Sequence, residues 1–176
     1  MSPGAQWNLV RVAGALLGVG VAATLLVVSR PGAAVAPVPA SVRFALAPVG
    51  ELEVTPAPPR PALVARGLRP GGPRASGYFE LRNQTGEELS VRLKAATDSS
   101  SLDGLLKVEV RAGDRLLTDT TLQGLGLHPP ELRLASGERA RLRLAAWLPA
   151  DVLSGYEGAR VEVTLVPAPR SVGVPR

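Results

Sequence analysis

Cysteine is absent from the 176 residues and histidine occurs once, at His128. This excludes a disulfide framework, a thiol nucleophile, and a zinc site built on cysteine or on several histidines. Aromatic residues make up 3% of the chain, too few for a stacking platform on nucleic acid. Lysine is scarce as well: of 20 basic residues only Lys94 and Lys107 are lysine. The remaining cations are arginines. Together with abundant Ala, Gly, Pro, Val and Leu, they resemble the product of a GC-rich bacterial coding sequence. The formal net charge is +5; without residues 1–40, which hold Arg11 and Arg30 and no acid, 18 basic and 15 acidic residues leave +3, too mild for a nucleic-acid footprint.

What is abundant is Gly and Pro, 19 and 17 residues, which favours many turns over long helices. One uncharged apolar run stands apart, Val12 to Val28, flanked by Arg11 and Arg30. A basic start, an apolar stretch and small residues beyond it are the parts of an export signal. Val38 and Ala40 stand at the −3 and −1 positions of a cleavage after Ala40. Retained instead as an anchor, the run would be the chain's only hold on a membrane, as a transmembrane helix of about 26 Å against a ~30 Å hydrocarbon core. The glycines Gly14, Gly18 and Gly20 favour the cleaved signal peptide. The sequence therefore predicts a secreted or cell-surface protein with three parts: residues 1–40 as export segment and Pro/Ala-rich linker, 41–168 as the folded domain, and 169–176 as a tail.

The folded part reads as short strands. Val42, Phe44 and Leu46 alternate with polar or small neighbours, as do Phe79 and Leu81, then Leu89, Val91 and Leu93. Leu106, Val108 and Val110 follow, then Ala140, Leu142, Leu144 and Ala146, then Val161, Val163 and Leu165. A period of two places one set inside and the other in water. With turn residues every 8–12 positions, this predicts an all-β fold, a two-sheet antiparallel β-sandwich of jelly-roll type. Leu117–His128 reads as a packed loop or short helical turn, and 149–155 as a further turn.

Several pieces of the chain occur in a familiar order. After the export segment come Gly50-Glu51-Leu52-Glu53-Val54, Leu68-Arg69-Pro70-Gly71 and Phe79-Glu80-Leu81-Arg82-Asn83 with Gly86. Leu105–Val110, Leu134-Ala135-Ser136-Gly137-Glu138 and Leu148-Pro149 with Tyr156-Glu157-Gly158 follow. Over about residues 50–166 this order resembles the camelysin/TasA-like family of exported jelly-roll proteins and their actinobacterial relatives. The resemblance implies secretion and, as in the best-known members, assembly into extracellular-matrix fibres of a biofilm through an N-terminal donor strand. Val42, Phe44 and Leu46 are then the candidate assembly strand, with pairing inside their own domain, or no fixed structure, as the alternative. The family usually begins its mature chain with an aromatic-Thr/Ser-Asp turn, whereas here Phe44 is followed by Ala45 and Leu46.

Chemistry-bearing patterns are few. His128 precedes Pro129-Pro130, and neither a Gly-x-Ser-x-Gly elbow nor a His-Glu-x-x-His motif is present, so neither a serine hydrolase nor the metalloprotease activity attributed to camelysin is expected. Asp98-Ser99-Ser100-Ser101-Leu102-Asp103-Gly104 offers calcium two carboxylates off EF-hand spacing and reads as a solvated hairpin loop. Asn83-Gln84-Thr85 is a glycosylation sequon only where that machinery exists. Arg139, Arg141 and Arg143, with Arg133 nearby, form a stripe able to contact an anionic polymer of the envelope or matrix, or to pair across a sheet with Glu80 or Glu162. No pattern calls for a cofactor. The expectation is an exported, non-enzymatic structural protein that self-assembles. The alternative is an extracytoplasmic binding module for carbohydrate or protein.

Overall fold

A computed structural model describes residues 36–172; the apolar run at Val12–Val28 lies outside them. Ten strands and one short helix follow in order: β1 (Ala40–Leu46), β2 (Leu52–Thr55), β3 (Pro61–Leu68), β4 (Ala75–Asn83), β5 (Leu89–Thr97), β6 (Lys107–Ala112), β7 (Arg115–Thr121), α1 (Leu122–Leu127), β8 (Glu131–Leu134), β9 (Arg139–Trp147) and β10 (Arg160–Ser171). They form two five-stranded sheets, ordered β3-β1-β10-β5-β8 and β2-β4-β9-β6-β7. The protein is thus the two-sheet β-sandwich that the alternating pattern predicts.

The inner faces carry the period-two apolar residues. Phe44, Leu81, Leu142 and Leu144 are fully buried, and Val163 is 1% exposed. Each such side chain contributes roughly 1.5–3 kcal/mol by leaving water, so a cysteine-free domain has a sufficient source of stability in its core. Nearly every connection crosses from one sheet to the other. β6 and β7 alone are joined as a hairpin within a sheet, through Gly113 at φ +56°. The Asp98–Gly104 segment is accordingly a crossing between sheets and not the hairpin loop expected from its composition.

Four further details go beyond the sequence reading or depart from it. First, β1 pairs with β10 in parallel, Val42 opposite Val161 and Phe44 opposite Val163, in sheets otherwise antiparallel. Second, β1 is held on both edges, by β3 as well as β10, and Val42, Phe44 and Leu46 are 2%, 0% and 2% exposed. A strand with both edges taken offers no free N–H or C=O row to a neighbour, so the candidate assembly strand is part of its own domain's core. Third, residues 115–121 form a strand. The successive Leu116 and Leu117 interrupt the alternation there, and a register shift between Val110 and Arg111 takes up Leu117 as the extra residue. Fourth, β10 runs to Ser171, opposite Leu89, past the expected boundary at 168. Its Pro167 and Pro169 lie beyond β1's last partner, Leu165, where β10 has a neighbour on one side only and a missing N–H is tolerated.

Gly77 fixes the approach of the two sheets at the β3–β4 side. A Cβ built there would lie 2.1 Å from the Ala62 carbonyl oxygen, which is backbone and cannot swing away. Gly77→Ala is expected to cost ~1–3 kcal/mol through forced separation of β3 from β4. Gly86→Ala, with nothing within 4 Å of the added carbon, serves as the neutral control in urea denaturation.

Candidate functional site

The outer face of the β2-β4-β9-β6-β7 sheet is built by the other phase of the same alternation. On β9 the exposed residues are Arg139, Arg141 and Arg143, while Leu142 between them and Leu144 after them are buried. Register places Arg139 beside Arg82, Arg141 beside Glu80, and Arg143 between Tyr78 of β4 and Arg111 of β6. The three arginines stand at steps of ~6.8 Å along one strand.

Two adjoining grooves open on this row. One, of about 540 Å³, is lined by Arg115, Arg133, Arg139 and Arg141, with Glu138 as its single acid. The Glu138 carboxylate is already engaged, accepting from the Ala135 amide at 2.7 Å. The other, of about 380 Å³, is lined by Tyr78, Gly113, Asp114, Arg141 and Arg143. Gly113 and Arg141 belong to both, so the grooves form one cationic surface. At its β2 border the surface meets acids: Glu53, Glu80, Arg82 and Arg139 line a small recess of about 60 Å³. There Glu53 is taken by Arg82 at 3.4 Å.

Five arginines among the described residues form ion pairs. Arg92 pairs with Glu131 at 3.0 Å, and Arg74 and Arg111 share the buried Glu109 at 3.4 and 2.8 Å. Glu131 accepts from the Ser90 hydroxyl and from Arg92, and these hydrogen bonds hold its carboxyl below the ordinary value. The stability it adds is therefore present above the ordinary carboxylate range and is lost as pH falls through the lowered value. Among the described residues, Arg115, Arg139, Arg141 and Arg143 make no ion pair within 4.0 Å. Pairing of the stripe with Glu80 or Glu162 is thus not what the structure contains. Glu80 lies opposite Arg141 without bonding it, and Glu162 lies on β10 in the other sheet. Arg133 also belongs to that other sheet, on edge strand β8, 4.0 Å from Glu88, yet it lines the same groove as Arg139 and Arg141.

The two aromatic side chains on this face are each covered by an arginine. The Arg141 guanidinium lies 4.5 Å from the centre of the Tyr78 ring, and that of Arg74 lies 3.9 Å from the centre of the Trp147 ring. Such stacks orient the guanidinium planes; Arg74 also donates to Glu109, whereas Arg141 makes no ion pair.

The remaining sequence candidates are not drawn to this face. His128 closes α1, its backbone N–H donating to the Gly124 carbonyl at 2.8 Å, and its ring makes no hydrogen bond among the described residues. Asp103 accepts from the Ser100 amide at 3.1 Å, and the Ser100 hydroxyl accepts from the Leu102 amide at 3.0 Å, so these oxygens cap their own turn. No group of three or more His, Asp or Glu able to hold a metal occurs among the described residues. Asn83 of the sequon is fully buried and its amide nitrogen is committed to three carbonyls, which removes it as a glycosylation acceptor in the folded chain. Sequence reasoning missed Arg115. The signal was the Gly113-Asp114 turn, a two-residue hairpin connection that sends Arg115 back along β6.

No protein-family model and no curated protein matches this chain.

Proposed function

We propose that this protein is an exported, non-enzymatic β-sandwich of the cell surface that binds an anionic polymer of the envelope or matrix through the arginine face. The apolar run at Val12–Val28 supports export. The observation that carries the binding reading is the convergence of Arg115, Arg133, Arg139, Arg141 and Arg143 on two joined grooves whose acids are few and partly engaged. Arginine forks suit carboxylate and phosphate groups alike, and a groove concentrates the field that draws them. The resemblance to exported matrix proteins supports the location. Fibre growth by strand donation is the weaker part of that resemblance, because β1 is already paired on both edges.

The test is retention of the full chain, in nonionic detergent, on an immobilised polyanion at low salt. Reversing two charges, Arg141→Glu with Arg143→Glu, is expected to abolish retention while leaving the unfolding midpoint within about 0.5 kcal/mol. Unchanged retention would overturn the reading.

A further inference from the structure

Resting on that reading, the geometry points to the chemical class of polymer: a linear phosphodiester chain with three carbons between successive phosphates, lying along β9. The argument is one of spacing. Arg139, Arg141 and Arg143 project from alternate residues of one strand, so their Cα atoms repeat at ~6.8 Å, and each long side chain can reach a charge near that repeat. Three skeletal bonds of an extended chain span at most ~3.3–3.6 Å, so the six bonds from one phosphate to the next span about 7 Å. Such a chain meets one arginine per phosphate without bending, and each singly charged phosphate can take a two-point contact from a guanidinium fork. Arg115 and Arg133 then flank the chain at the Arg139 end of the row.

Two kinds of polymer have this repeat: a polyol phosphate and single-stranded nucleic acid. The surface favours the first. A single strand gains much of its affinity by stacking bases on several aromatic rings, and here the two grooves hold one ring, Tyr78, with the Arg141 guanidinium on one of its faces. The site has several cations for a phosphate backbone and a single half-covered ring for bases.

The experiment measures affinity and its salt dependence for the full chain in nonionic detergent against three probes: poly(glycerol phosphate), oligothymidylate and a polyuronate. Poly(glycerol phosphate) is expected to bind tightest. Each phosphate contact should contribute about 0.7 to the slope of log K against log salt, the value for a flexible single-stranded polyanion. The combined variant Arg139→Gln, Arg141→Gln, Arg143→Gln should lower that slope by about 2 and weaken binding at least tenfold. Arg160→Gln, on the other sheet, should leave both unchanged. Oligothymidylate binding as tightly as poly(glycerol phosphate) would overturn the choice of polymer. Tighter, arginine-dependent binding of the polyuronate would overturn the phosphodiester spacing while leaving the anion-binding face intact. Binding of no probe in an arginine-dependent way would overturn both.

Discussion

Asn83→Ala is expected to destabilise the domain by about 3–4 kcal/mol, a large effect for one polar side chain. Asn83 ends β4, is fully buried, and bonds with its whole amide. The nitrogen donates to the carbonyls of Glu87, Leu134 and Ala135 at 2.7, 3.1 and 3.0 Å. The oxygen accepts from the Thr85 amide at 2.8 Å and the Thr85 hydroxyl at 2.7 Å. These partners lie on two separate crossings between the sheets, from β4 to β5 and from β8 to β9. One side chain thus pins both crossings at the same end of the sandwich. Alanine leaves the buried Leu134 carbonyl without its donor, at a cost of ~1–3 kcal/mol, and releases the Thr85 turn as well. Asn83→Asp is a sharper probe. It keeps the acceptor for Thr85 but sets a carboxylate against three carbonyl oxygens. Its deficit should therefore equal or exceed that of alanine at neutral pH and shrink in acid, where the introduced group is protonated. Urea denaturation at pH 7 and at pH 4 measures both. A loss under about 1 kcal/mol for Asn83→Ala would show that water satisfies these crossings equally well.

How far the sequence speaks depends on the span over which a signal is read. Strand β9 is legible because Arg139 to Leu144 alternate strictly between cation and apolar residue, and the same phase exposes the arginines as a row. Strand β7 is hidden because Leu116 and Leu117 stand in succession and interrupt the period of two, and the register shift that takes up the extra residue depends on pairing with β6. The four residues of β8 follow Pro129-Pro130, too short a stretch for a period to show. Alternation also says nothing of partners. Val42, Phe44 and Leu46 read equally well as a strand added to a neighbour or as one inserted between β3 and β10, and the choice is made by contacts far along the chain. The site divides in the same way. Arg139, Arg141 and Arg143 come from local periodicity. Their union with Arg115 and Arg133 requires the β6–β7 turn and β8, on different sheets, to lie beside the same stretch of β9.

Because β9 carries core on one phase and cations on the other, neighbouring substitutions on it should separate folding from binding. Leu142 is fully buried at the centre of the inner face, opposite Phe79 across β4. Leu142→Ala removes buried apolar surface and leaves a cavity in two packed sheets, at an expected cost of ~2–5 kcal/mol. Arg141, one residue earlier, points outward, stacks on Tyr78 and forms no ion pair. Arg141→Ala should cost under about 0.5 kcal/mol, since no buried partner is left unsatisfied. Polyanion affinity should move the other way. The alanine at 141 removes the one cation shared by both grooves. The alanine at 142 should leave affinity unchanged in whatever fraction stays folded. Denaturation midpoints and polyanion titrations on the two variants give a two-by-two result. Equal stability losses at 141 and 142 would mean that the phase of β9 is wrong, and with it both the core and the arginine face.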